Sequence, residues 1–274
     1  MNILILATAD WDHPFWTNKQ HVAKSLAEAG HKVIYIDSLG LRKLRAGKND
    51  RDRIIRRIKG IIFSPRKVLV NLWVVSPLVL PGIENKFINL INSFFLNLTL
   101  IYCYQKLGFK CNILWTYSPA TTLYLNPNKF KYSIYHCVDD ISVQPDMPGN
   151  YIRILERDLS HKVNTIFTTT NTLMDKLGSF CRSKYVLPNV VDYDHFAFPK
   201  EESIQKANNL MRRIKQPIIG FVGAISNYKI NFDLIKSCAE RYPNFSFIFI
   251  GSIGEGEGNT DISKITNLRN IFFL

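Results

Sequence analysis

The sequence predicts an α/β protein with doubly wound, mostly parallel sheets, and three observations carry that reading. Short apolar runs recur, beginning with Asn2 to Ala7; an unbroken apolar run suits a parallel strand covered on both faces. Between them lie segments with helical apolar spacing, bounded by start and stop signals. The two kinds of segment alternate along most of the chain, which is the pattern of βαβ units.

The elements follow in order. After the first strand, Thr17 and Gln20 fit a capping box, and His21 to Ala29 reads as a helix closed by Gly30. Lys32 to Asp37 is the second strand. Arg51 to Phe63 spaces Ile54, Ile55, Ile58, Ile61 and Ile62 helically among basic residues. Val68 to Val75 reads as one further strand, and Glu84 to Leu107 as a long apolar helix. Asparagines at 85, 89, 92 and 97 mark that helix as one packed on a sheet rather than a bilayer span. Strands are then expected at Asn112 to Thr116, Tyr132 to Cys137, Thr165 to Thr169 and Lys184 to Leu187, with helices at Asn150 to His161 and Thr172 to Phe180.

A linker around Pro188 to Phe196 divides the chain into domains at 1–190 and 191–274. The second domain reads helix (Glu201 to Lys215), strand (Pro217 to Val222), helix (Asn231 to Arg241), strand (Ser246 to Gly251). A last strand begins at Asn270, and the domain is expected to be partial.

Composition narrows the function classes. Hydrophobic residues make up 46% of the chain and charged residues 21%, as in a folded soluble protein and not a disordered one. No stretch holds 18 consecutive apolar residues, and the N-terminus lacks the basic start of a signal peptide. The five cysteines stand singly, which argues for reduced thiols in a cytoplasmic protein and against a disulfide framework or metal site.

The net charge of +13 is concentrated. Between Arg42 and Lys67 eleven Lys or Arg face two Asp, a local net of +9. Such a run is a solvated face or a surface for an anionic membrane, with Arg53, Arg56, Arg57 and Lys59 as the contacts. Nucleic acid is the weaker partner, because no recognised binding module accompanies the charge.

Three groups of residues carry chemistry. The strand from Tyr132 ends in His136-Cys137-Val138-Asp139-Asp140, at the carboxyl edge where open α/β sheets bind ligands. A carboxylate or histidine there can take a proton from a hydroxyl. The alternative is that one Asp caps the next segment or pairs with a base, and that His136 is a packed strand residue. The loop Asp10 to Thr17 offers Trp11 and Trp16 for stacking on a sugar ring, and Asp12 and His13 for its hydroxyls. Equally, it is an aromatic cover for the sheet edge. In the second domain Gly223, Asn227 and Lys229 lie between a strand and a helix start, where backbone N–H groups hold phosphates. Lys229 is otherwise a solvated surface residue. Neither a Gly-x-Gly-x-x-Gly nor a P-loop pattern is present, which counts against a dinucleotide enzyme.

The ordered set of motifs resembles the GT-B glycosyltransferases, and among them bacterial enzymes of teichuronic acid, capsule and other surface polysaccharides. The residues that carry the resemblance are Ile3 to Trp11, Leu26 to Asp37 with its Ala-Gly-His, Tyr135-His-Cys-Val-Asp-Asp140, Glu156 before Thr168-Thr-Thr170, and Pro188-Asn-Val-Val-Asp-Tyr-Asp-His-Phe196. Ile219 to Ile225 and Phe247 to Gly251 continue it into the second domain. His136 stands where these relatives often have Asp. The late carboxylate pair of the group's nucleotide-sugar motif has no counterpart.

The resemblance implies two Rossmann-like domains, the first complete and acceptor-side, the second partial and donor-side. It implies transfer of a sugar from a nucleotide sugar to a lipid-linked or polysaccharide acceptor in cell-envelope synthesis. No metal and no cofactor are expected, the nucleotide sugar being a substrate. The implied location is cytoplasmic and peripheral at the inner face of the cell membrane. The other reading is a truncated, inactive remnant or binding module of such an enzyme.

Overall fold

The computed structural model describes residues 1–40, 65–177, 183–212, 214–254 and 256–274. It divides into two compact units, Met1–Asn189 and Val190–Leu274. Of the basic run Arg42 to Lys67, Arg66 and Lys67 are described in β3; the rest, with the proposed membrane contacts Arg53, Arg56, Arg57 and Lys59, lies outside the described residues.

The first unit is built on an eight-stranded sheet. Its strands are β1 (Asn2–Leu6), β2 (Lys32–Ile36), β3 (Arg66–Leu69), β4 (Leu72–Val75), β5 (Ile113–Thr116), β6 (Tyr132–Cys137), β7 (Thr165–Thr168) and β8 (Ser183–Val186), in the order β3-β4-β2-β1-β5-β6-β7-β8. All neighbours are parallel except β3 and β4. The central strands are buried on both faces, as their apolar runs require.

Among the described residues four α-helices accompany this sheet: α1 (Asn18–Glu28), α2 (Lys86–Leu107), α3 (Gly149–Lys162) and α4 (Asn171–Leu177). Helix α1 starts three residues earlier than expected because Gln20 Oε1 accepts from the Thr17 backbone N–H at 3.1 Å, completing the capping box. Gly30 follows at φ +84°, a left-handed position that favours glycine.

One expectation needs correction. The apolar run Val68 to Val75 is not a single strand but the β3–β4 hairpin, reversed at Val70-Asn71. Asn71 adopts φ +64°, and asparagine tolerates that conformation better than other non-glycine residues.

Side chains alternate across the sheet, so its two faces have separate cores. On one face Leu4, Leu6, Ile34, Ile36 and Leu114 pack beneath Leu96 and Leu100 of α2 and Ile152 and Leu155 of α3. On the other, Ile3, Ile5, Val33 and Tyr35 pack beneath Ala23 and Ala27 of α1. Helix α2 is long and apolar enough to cross a bilayer by length and composition, yet it lies on the sheet. Asn85 caps it by accepting from the Phe87 and Ile88 N–H groups, and Gly108 closes it at φ +70°.

The second unit holds a parallel three-stranded sheet, β11-β10-β9, with β9 at Ile218–Val222, β10 at Ser246–Ile250 and β11 at Ile271–Phe273. Its helices are α5 (Tyr193–Ala197), α6 (Glu201–Met211), α7 (Phe232–Arg241) and α8 (Ser263–Thr266). Phe232, Ala239, Phe247, Phe249 and Ile265 form its core.

Candidate active site

The carboxyl end of β6 gathers the chemistry of the first unit, and the strand's alternation sends it to two faces. Tyr135 and Cys137 point one way and Ile134 and His136 the other.

On the first face Asp140 is fully engaged. Its Oδ1 accepts from the Ser142 N–H at 3.1 Å, capping the turn Ile141–Val143, and from Lys176 Nζ at 2.7 Å. Lys176 also donates to Glu156 Oε2 at 3.1 Å, and Tyr135 donates its hydroxyl to Glu156 Oε1 at 2.6 Å. Burial alone would raise the Asp140 carboxyl, but the bonds from Lys176 and Ser142 outweigh it and hold it below the ordinary range. Burial would likewise lower Lys176, and its bond to Asp140 with the charge of Glu156 raises it instead. A carboxylate so held is a poor proton acceptor.

On the second face His136 is buried among aromatic rings. Tyr117 stacks on it at 5.0 Å between centroids, with Phe167 edge-on at 5.9 Å and Trp115 at 6.0 Å. Neither ring nitrogen has a hydrogen-bond partner in the structure. Burial, aided by the charge of Lys19, pushes its pKa down to about 4, so the ring is neutral at pH 7. Lys19, in the first turn of α1, is itself buried, its ammonium 5.9 Å from the Tyr117 ring centroid. Burial lowers its pKa and the nearby Asp139 charge opposes that. Asp139 is exposed. The structure therefore divides the acidic pair: Asp140 closes a structural network, and Asp139 stands open beside Lys19.

The loop after β1 divides as well. Trp11 is turned into the core, 5.3 Å edge-on to Tyr35, with its backbone N–H donated to Asp37 Oδ1 at 2.8 Å. Its ring supports Trp16, 4.8 Å away, and it is Trp16 and Phe15 that are exposed. Asp12 is paired with Arg66 at 2.6 Å, and His13 Nδ1 lies 3.0 Å from the Phe15 carbonyl. Asp37, just after β2, is a buried carboxyl that the sequence does not single out. Burial, opposed by bonds from Ser76 and Trp11 and reinforced by the charges of Asp10 and Asp12, raises its carboxyl to about 6.

In the second unit Gly223 adopts φ +150°, and a Cβ on Gly251 would come within 2.1 Å of the Gly223 carbonyl oxygen. The ends of β9 and β10 are thus pressed together in a way only glycine permits. Asn227 and Lys229 are exposed and line a cavity of about 610 Å³ that reaches the start of α7 and the Asp233–Lys264 pair. Lys229 rests 5.5 Å from the Tyr228 ring. Ser226 is fully buried beside them with its hydroxyl unpartnered. Among the described residues no His, Cys, Asp and Glu group could hold a metal ion.

A parallel sheet with open polar groups at its carboxyl edge, followed by a second parallel α/β unit, is the plan of the nucleotide-sugar enzymes of GT-B fold. Solved structures bear this out over the whole chain. Anabaena HepE in complex with UDP matches with a TM-score of 0.62 at 13% identity, covering 100% of this chain and 69% of that one. The catalytic domain of Arabidopsis thaliana starch synthase IV, bound to ADP and acarbose, matches at 0.58 and 14%, covering 100% and 73%. Neisseria meningitidis UDP-GlcNAc 2-epimerase bound to UDP-GlcNAc matches at 0.54 and 11%, covering 100% and 72%. No family model and no curated protein matches the sequence. The chain has the GT-B glycosyltransferase-type fold.

Proposed function

We propose that the chain transfers a sugar from a nucleotide-sugar donor to a hydroxyl of a lipid-linked or polysaccharide acceptor in cell-surface glycan synthesis. The observation that carries this is the open Asp139, beside a buried lysine and histidine, at the ligand edge of a fold shared with proteins solved with UDP, UDP-glucose and ADP.

The residues suit the reaction. Asp139 accepts the proton of the acceptor hydroxyl as its oxygen bonds to the anomeric carbon. The bond from that carbon to the diphosphate breaks, and the nucleoside diphosphate leaves with the electron pair. Lys19 orients the acceptor in front of the neutral, buried His136, Trp16 and Phe15 cover its ring, and Asp140 fixes the turn that carries Asp139. In the second unit the Gly223 turn, Asn227 and Lys229 receive the diphosphate. The basic run around Arg53 to Lys59 meets an anionic membrane at its cytoplasmic face.

The test is turnover of UDP-, ADP- and GDP-sugars by the full chain with bacterial lipid-extract acceptors, read as released nucleotide. Donor-dependent release is expected. Asp139→Asn should lower it about a hundredfold with donor binding retained. Absence of both binding and release across the panel would sink the reading.

A further inference from the structure

Helix α2 is built inside out. Its buried side carries Asn89 and Asn92 together with Leu96, Leu100 and Cys103. Asn92 is satisfied, accepting from the Leu80 N–H and donating to the Leu80 carbonyl, whereas Asn89 donates to the Ile83 carbonyl at 2.6 Å and its Oδ1 has no partner. The opposite side, at the same helical spacing, presents Phe87, Leu90, Phe94, Leu98 and Ile101 to solvent, the first three at least 60% exposed. Over a helix about 33 Å long this is a continuous apolar stripe, beyond what a soluble monomer ordinarily leaves bare.

The charges around the stripe are mostly basic, although Glu84 is exposed just before the helix and Asp158 bonds Thr122 at the groove. Helix α2 contains two lysines, Lys86 and Lys106, and no acid. Alongside its C-terminal half opens a groove of about 560 Å³, lined by Leu100, Ile101, Tyr104, Leu123 and Phe130, with Lys110 and Lys129 in its wall. Apolar walls with lysines at the rim complement an acyl chain beneath an anionic headgroup. A second copy seated on the same face would instead bring these lysines together.

We propose that this face of α2 seats the first unit on an anionic lipid bilayer, the helix lying in the plane of the interface. Phe87, Leu90, Phe94, Leu98 and Ile101 enter the acyl boundary, and Lys106, Lys110 and Lys129 meet lipid phosphates. This holds independently of sugar transfer and of the basic run around Arg53, so each fails separately.

Flotation of the full chain with phosphatidylethanolamine vesicles, with and without phosphatidylglycerol, tests it. The protein should float with the anionic vesicles and less as salt rises. Replacing Phe87, Leu90, Phe94 and Ile101 together by Gln should weaken partition at least about a hundredfold, with circular dichroism unchanged. Lys110→Gln with Lys129→Gln should erase the preference for phosphatidylglycerol. Unchanged flotation of the folded quadruple variant overturns the proposal, as does flotation lost only when Arg53, Arg56, Arg57 and Lys59 are neutralised. Should the quadruple variant not fold, Phe94→benzoylphenylalanine in the otherwise native chain decides. Photocrosslinks to lipid support the proposal; crosslinks to a second copy, or none, overturn it.

Discussion

The two faces of β6 carry the same kinds of residue in opposite states. On one, Lys176, Asp140, Glu156 and Tyr135 satisfy one another through bonds of 2.6 to 3.1 Å. On the other, Lys19 is buried near an exposed Asp139, and His136 has both nitrogens unpaired in an aromatic nest. Buried polar groups are ordinarily paired, so the two unpaired nitrogens of His136 at a ligand edge need a reason. On the function proposed above, the contrast separates polar residues that hold the fold from polar residues that would meet a substrate. Three measurements can break it.

The largest effect is expected on the paired face. Lys176→Met leaves the buried Glu156 and the part-exposed Asp140 without their shared cation; an orphaned buried partner costs about 3–5 kcal/mol, and the exposure of Lys176 brings the expected loss to the low end of that range. The midpoint of urea unfolding should fall accordingly. A change below about 1 kcal/mol would show that water replaces Lys176 and that the network is not structural.

Next is the titration of His136. Its folded pKa of about 4 lies below the ordinary 6.5. The unfolded chain therefore binds the extra proton across that window, and stability is lost as pH falls from 6.5 towards 4. Over that window the loss is roughly 3 kcal/mol. Asp37 works the other way: raised from 3.8 to about 6, it gains protons on folding and favours the folded state as pH falls from 6 to 3.8. The two slopes overlap, so the informative quantity is the difference between the native chain and His136→Phe, whose ring suits the aromatic surroundings. That difference should move in the variant's favour by most of the 3 kcal/mol between pH 6.5 and 4. A flat difference would mean that His136 finds a hydrogen-bond partner in solution.

Much of this arrangement was legible in the residues. The bounds of β6 were readable as Tyr132 to Cys137 because an apolar run meets an abrupt acidic end. Period-two alternation already separated Tyr135 from His136. Alternation could not show that both faces are covered, which is what buries His136. Nor could adjacency divide Asp139 from Asp140: the residue that decides is Lys176, 36 positions later, and only the fold brings it near. The hairpin at Asn71 hid in a continuous apolar run, because a two-residue reversal leaves almost no compositional trace. The loop of aromatics pointed to a surface, yet Trp11 turns inward because its N–H is claimed by Asp37. Lys19 gave no signal beyond its place in the first turn of a helix facing the ligand edge.

The smallest effect on stability, and the sharpest test of the contrast, belongs to Lys19→Met. Methionine keeps the unbranched apolar stem and removes an ammonium that burial already disfavours. Where Lys176→Met should unfold the protein more easily, this exchange should be neutral or stabilising by about 1 kcal/mol, since nothing buried loses an indispensable partner. Asp139 is exposed, so water solvates it once Lys19 is gone. The cost should appear in function instead, as at least a tenfold weaker response to acceptor while donor binding, which we assign to the second unit, stays unchanged. A destabilisation comparable to that of Lys176→Met would make Lys19 another structural cation. The two faces of β6 would then differ only in how their charges are balanced, and the case for a substrate on the second face would rest on Asp139 alone.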